Sequence, residues 1–174
     1  MSSSAKVNGA RLRRSAPEPL AVEPAIDLWS RPGYLIRRLH QLSVAVFLEE
    51  MADLNLTPLQ LGALTVIANR PGLDQAAIAA ELGTDRVTTG DVLNRLEKND
   101  LAYRQVSARD KRYKEVYLTP SGLKLAKDGA ARLSLIQNRF LKPLSQDQRK
   151  VFLGLVRELI KANERDSRML RSTN

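Results

Sequence analysis

The sequence predicts a mainly α-helical fold carrying one small β-hairpin, and three observations lead there. Apolar residues recur at helical spacing through six segments after residue 32. Breakers separate those segments, at Pro58, Arg70-Pro71-Gly72, Gly83, Pro120 and Pro143. Between Ala102 and Leu118 the helical period gives way to two short, partly alternating runs around a charged tip.

The elements follow in order. Residues 1–25 are rich in Ser, Ala, Pro and Arg without helical period, and read as a flexible basic arm (Lys6, Arg11, Arg13, Arg14) able to add phosphate contacts or simply solubility. Pro32 fits the first turn of a helix, and Leu35, Leu39, Leu42 and Val46 fall at i, i+4, i+7 and i+11, one apolar stripe. This helix is expected to end near Asn55. Thr57 then caps a second helix that starts at Pro58 and runs to Asn69. Asp74 caps a short, alanine-rich helix, DQAAIAAEL; Gly83 supplies a tight turn; Thr84 or Asp85 caps a longer helix to about Asn99. Two helices joined by a short glycine-containing turn are the mark of a helix-turn-helix. Ala102–Val106 and Glu115–Leu118 suit two antiparallel strands joined by residues 107–114. Thr119-Pro120-Ser121-Gly122 opens a long helix to about Leu141, and a last helix runs from Gln146 to about Arg165.

Composition narrows the function. The 174 residues carry a formal charge of +9 and 43% hydrophobic residues, enough for a packed core and a clear excess of cations. A pI near 10.2 calls for a polyanionic partner. Without cysteine and with His40 alone, neither a disulfide framework nor a thiolate or histidine metal cluster can be built. No apolar run approaches the roughly 20 residues that span a bilayer, and the N-terminus lacks a secretory apolar core. The expectation is a cytoplasmic protein. Nucleotide-binding glycine loops and hydrolase signatures are missing, so no enzyme and no cofactor are expected.

The cationic surplus falls where a helix-turn-helix would use it. On the second helix of that unit, Val92, Leu93 and Leu96 cluster on the core side. Val87, Gly90, Asp91 and Asn94 lie opposite, with Thr88 and Arg95 on one shoulder and Arg86 on the other. Such a face suits the major groove of DNA: Arg86 for guanine O6 and N7, Val87 for a thymine methyl, Thr88 and Asn94 for polar edges. Gly90 implies either close approach to DNA or tight packing. Asp91 is expected to pair with Arg95 at i+4 rather than face phosphates. The following hairpin holds Arg104, Arg109, Lys111, Arg112 and Lys114 against Asp110 and Glu115. A tip this basic fits a minor groove, with Arg112 inserted and Asp110 orienting it. The alternative is an architectural or protein-binding domain that does not read sequence.

The outer helices hold more apolar surface than so small a domain can cover: Leu35, Leu39, Leu42, Val46, Leu133, Leu135, Ile136, Phe140, Val151, Phe152, Leu155 and Ile160. Either they fold back to finish a monomer, or they interlock with a second copy. The homodimer is preferred, because a twofold sets two recognition helices about one duplex turn apart, roughly 34–36 Å.

The words TDRVTTGDVLNRLE, LEKNDLAYR and SARDKRYKEVYLTPSG resemble the MarR (multiple-antibiotic-resistance regulator) family of winged-helix transcription factors, over about residues 32–165. Arg95-Leu96-Glu97, Asp110-Lys111-Arg112 and Val116 to Gly122 occupy the family's motif positions. Ser107 stands where aspartate is common, Lys111 where arginine is common, and Asp91 where a basic or neutral residue is usual. The resemblance implies a winged helix-turn-helix at 57–119, flanked by dimerisation helices at 26–56 and 120–174. It implies DNA contacts from Arg86, Val87, Thr88, Asn94, Arg95, Arg109, Lys111 and Arg112, and regulation, most simply repression, at an inverted repeat. It also implies an effector, often a small aromatic carboxylate. Trp29 to Gln41 looks like the subgroup controlling nicotinate-type or hydroxylated aromatic acid catabolism. Ile36, His40, Ser43 and Phe47 share one helical edge, and Arg37 or Arg38 can neutralise an acid. Trp29, Arg38, His40, Ser43 and Phe47 are therefore the ligand candidates. For His40 packing is the alternative, and for Trp29 a staple at the helix start.

Overall fold

A computed structural model describes residues 27–108 and 110–172, with side chains through residue 164. Six helices and three short strands follow the order α1 (Pro32–Glu50), α2 (Pro58–Asn69), β1 (Leu73–Asp74), α3 (Gln75–Leu82), α4 (Arg86–Lys98), β2 (Ala102–Val106), β3 (Lys114–Leu118), α5 (Pro120–Phe140) and α6 (Gln146–Ser172). The basic arm and Arg109 lie outside the described residues.

Local chemistry sets the boundaries. Thr57 and Gln60 form a reciprocal capping box, each side chain accepting from the other's backbone N–H at 3.2 and 2.9 Å. Asp74 accepts from Ala77 N–H and Asp85 from Thr88 N–H, both at 2.7 Å, so Asp85 rather than Thr84 caps α4. Gly83, at φ 64°, ends α3 in the left-handed conformation that a side chain would strain.

The expected first helix is shorter than its apolar period. α1 stops at Glu50, a 3-10 turn covers Ala52–Leu54, and Asn55 turns left-handed at φ 50°. The cause is packing: Met51 and Leu56 are fully enclosed, which pulls the chain inward before the helix can continue. β1, only two residues long, leaves no alternating pattern in the sequence. It pairs antiparallel with β3, Leu73 opposite Val116, to give a sheet of order β1-β3-β2. β3 begins at Lys114, one residue early, and α6 continues to Ser172.

One core joins helices α1–α5 and the sheet. Leu61, Leu64 and Ile67 of α2 meet Ile78 of α3, Leu93 and Leu96 of α4, and Val116 of β3. Phe47, Met51, Ala126 and Ile136 extend it towards α1 and α5. Arg132 of α5 chelates the Asp53 carboxylate and donates to Glu50 C=O at 3.0 Å, while Arg139 pairs with Glu49 and Glu50. These pairs hold α5 across the end of α1. Gly122 explains the closing motif: a Cβ there would stand 1.9 Å from Leu101 O. That contact, with Thr119 Oγ1 donating to Asp100 C=O at 2.7 Å, seats the start of α5 against the end of α4.

The outer helices are a different case. Leu35, Leu39 and Leu42 of α1 and Val151, Leu155, Leu159 and Ile160 of α6 all stay exposed, Val151 to 61% and Leu159 to 58%. The apolar stripe read from α1 is therefore a surface of the single chain. Only Phe47 of that helix is buried.

Candidate nucleic-acid interface

The surface begins with α4, whose amphipathic pattern orients it. Thr89, Val92, Leu93 and Leu96 are buried, whereas Arg86, Val87, Thr88, Asp91, Asn94 and Arg95 are exposed, Val87 to 76%. An isolated valine held out in water at a helix start gains nothing in the free chain, and suits contact with an apolar groove feature. Gly90 does not belong to this face. It is buried, and a Cβ would meet Gln75 Nε2 at 2.8 Å, so tight packing of α3 on α4 accounts for it.

Asp85 fixes the helix start. Its carboxylate accepts from the Thr88 N–H and from the Thr88 hydroxyl, both at 2.7 Å, and these bonds hold its pKa below the usual aspartate value. The Thr88 hydroxyl is thereby used as a donor and presents acceptor capacity outward. Thr89 Oγ1 donates to Asp85 C=O at 2.9 Å, so in the 2.8 Å contact between Thr84 and Thr89 it is Thr84 that donates. The expected Asp91–Arg95 pair does not form: both side chains are exposed and no ion pair joins them among the described residues. An exposed i, i+4 pair is worth only about 0.3–0.5 kcal/mol, too little to immobilise two solvated chains.

The wing approaches α4 from one side. Arg104 of β2, only 18% exposed, donates through Nη1 to Asn94 Oδ1 at 2.9 Å and to the Glu97 carboxylate, and through Nη2 to Gln75 Oε1 at 3.4 Å. Gln75 in turn donates from Nε2 to Arg86 C=O at 2.8 Å. One guanidinium and one amide thus tie the wing, α3 and both ends of the exposed α4 face together. Neither residue stood out in the sequence as a positioning group, because their partners lie 7 to 29 positions away and no periodic signal links them.

At the tip, Arg112 grips Asp110 in a bidentate pair, Nε to Oδ1 at 3.1 Å and Nη2 to Oδ2 at 2.8 Å, while its own N–H donates to Oδ1 at 3.0 Å. Arg112 nevertheless remains 83% exposed. Its guanidinium lowers the pKa of Asp110, and the carboxylate raises that of Arg112. The expected orienting role of Asp110 is thus present in the geometry. Ser107, buried beneath the tip, accepts from Asp110 N–H at 3.5 Å. Lys111 is exposed beside Arg112. Between wing and α4 lies an open cleft of about 330 Å³ lined by Arg86, Arg104, Arg112 and Lys114, with Asp74 and Tyr113. Four cations around a cleft of that size suit a phosphate ridge.

The ligand candidates divide. Trp29, packed edge-on against Tyr34 at 5.8 Å, and Arg38 line an apolar groove of about 480 Å³ with Leu35, Leu39, Phe152 and Leu155. His40, Ser43 and Phe47 do not line it: Ser43 Oγ donates to His40 C=O at 2.9 Å, and Phe47 is buried in the core. Arg37 lies over the Tyr34 ring at 5.3 Å. Among the described residues there is no group of three potential metal ligands and no helix long and apolar enough to cross a membrane.

Comparison with known proteins agrees with this geometry. The MarR family model matches residues 54–112. The transcriptional regulator HosA of Escherichia coli is 30% identical over 133 residues, 76% of this chain and 97% of that protein. The transcriptional regulator PcaV from Streptomyces coelicolor, solved with its natural ligand, superposes with a TM-score of 0.74 at 31% identity, over 80% of this chain and 99% of that one. The transcriptional repressor CouR, solved on a 23-mer DNA duplex, gives a TM-score of 0.71 at 27% identity, over 76% and 94% of the two chains.

Proposed function

The chain belongs to the MarR family of DNA-binding transcriptional regulators, and from that premise we propose that it is a homodimeric repressor released from an inverted-repeat operator by a small aromatic carboxylate. The observation that carries this reading is the pairing of an exposed, polar α4 face with an exposed Arg112 on a wing locked to that helix by Arg104. α4 enters the major groove, where Arg86, Val87, Thr88, Asn94 and Arg95 meet base edges and adjoining phosphates. Lys111 and Arg112, with Arg109 beside them in sequence, serve the minor groove and its phosphates. The exposed apolar faces of α1 and α6 supply the dimer contacts, since a patch of that extent on one chain calls for a partner. CouR, solved on DNA and called a repressor, supports both the interface and the direction of control.

The effector binds beside α1. PcaV, solved with its natural ligand, supports an effector, and Trp29 with Arg38 offers a flat apolar surface and a cation for an acid. His40 and Ser43, further along the same helix, are the second set of candidates, with the core-buried Phe47 behind them. Because α1 also forms the dimer contact, a ligand there favours one spacing of the two recognition helices over another, and that differential affinity is the whole of its regulatory power. The test is a gel shift with a palindromic fragment against scrambled competitor, repeated with aromatic acids that raise the melting temperature. The account expects at least about a hundredfold preference for the palindrome and its loss with a stabilising acid. Equal affinity for both sequences would leave only an architectural protein.

A further inference from the structure

Arg104 does more than tie the wing down. A guanidinium has only donors, so the end of the Asn94 amide that faces Arg104 Nη1 at 2.9 Å must be the oxygen. The same Nη1 spends its second hydrogen on Glu97, and Nη2 is engaged by Gln75, so the guanidinium is held from three sides. Asn94 itself is exposed, and its Nδ2 has no partner among the described residues. We infer that Arg104 makes Asn94 read as a donor: with its oxygen end held toward the wing, the amide turns its NH2 to the major groove and selects a base edge presenting acceptors, such as guanine O6 and N7 or thymine O4. An unpinned asparagine would instead pair in bidentate fashion with adenine N6 and N7, offering one donor and one acceptor. This inference rests on the DNA-reading function proposed above, and it makes Arg104 a positioning residue and Asn94 a specificity residue.

The experiment is selection of bound sequences from a randomised duplex library at low salt, with the wild type, Asn94→Asp, Arg104→Met and Arg104→Lys, each checked for an unchanged far-ultraviolet spectrum and cooperative melting. Asn94→Asp keeps an oxygen for Arg104 but replaces both donors with an acceptor. It is expected to switch one base pair per half-site to a base presenting an amino group, cytosine or adenine, with preference reversed by roughly tenfold. Arg104→Met is expected to admit adenine at that same pair, and Arg104→Lys, which keeps a donor for Asn94, to restore the wild-type preference there. Selection reads relative preference, so a uniform weakening by the added negative charge does not mask the switch. A wild type that selects no sequence overturns the DNA-reading account beneath the inference. A wild type that selects a sequence, together with an Asn94→Asp protein that selects the same one, overturns the inference alone. Loss of preference at every position in Arg104→Met that Arg104→Lys fails to repair would show a purely structural Arg104, and would equally overturn it.

Discussion

The two ends of this molecule treat their surfaces in opposite ways. Around α4 and the wing, polar side chains are engaged within the chain: Asp85 with Thr88, Gln75 with Arg86 and Arg104, Arg104 with Asn94 and Glu97, and Arg112 with Asp110. Around α1 and α6, large apolar side chains stand in water, with Leu35, Leu42, Leu155 and Leu159 all at least 40% exposed. The first region is a finished instrument in one copy, needing only DNA. On the dimer proposed above, the second is half of an interface. Recognition chemistry can be pre-organised inside a protomer because its hydrogen-bond partners are all supplied by one chain, whereas exposed apolar faces on long helices call for cover from a partner.

Breaking the finished end at its tightest point has the largest expected effect. Gly122→Ala drives a Cβ into Leu101 O and should cost at least about 3 kcal/mol in urea unfolding, because backbone rather than a flexible side chain must move. A variant within about 0.5 kcal/mol of wild type would show that α5 is not seated there. Next comes the unfinished end: Leu39→Glu with Leu155→Glu should leave a folded chain of 19.4 kDa in light scattering, with operator affinity down about a hundredfold through lost avidity. The same variant staying dimeric would move the interface elsewhere.

The sequence made much of the first end legible and little of its wiring. Capping residues, prolines and a period of 3.6 announce themselves locally, so Thr57, Pro58, Asp74 and the core face of α4 were readable. Long-range hydrogen bonds do not, and so the roles of Gln75 and Arg104 and the two-residue β1 surfaced only when the chain was folded. Gly90 shows the same limit: its wheel position was outward, yet the Gln75 side chain covers it. Among the effector candidates, Ile36, His40, Ser43 and Phe47 share an edge of α1 by helical spacing, but that edge runs from open solvent at Ile36 to the core at Phe47, which spacing alone does not reveal.

Smaller perturbations sharpen the comparison. Arg86→Ala should relax base preference at one position per half-site by about 1–3 kcal/mol in competition binding, leaving stability unchanged. Arg112→Ala should weaken all sequences alike and flatten the slope of log affinity against log salt by about one unit per wing. Unchanged affinity at moderate salt would remove Arg112 from the interface. The smallest effect concerns pH where α5 crosses the end of α1. The pKa of Asp53 is lowered below 3.8, chiefly by its hydrogen bonds from Arg132, so the pair's stabilisation is present above 3.8 and fades as pH falls through the lowered value. Asp53→Asn should therefore lower the melting temperature slightly at pH 7, and the difference from wild type should shrink as the pH approaches 3.

The central claim, that two linked copies read a duplex in register, is tested most directly by measuring affinity for one selected half-site repeated at increasing separations. The account predicts a sharp maximum with half-site centres one helical turn apart, about 10–10.5 base pairs, and a collapse when five base pairs are inserted. Affinity that does not depend on the separation, with each half-site filled by its own chain, would contradict it.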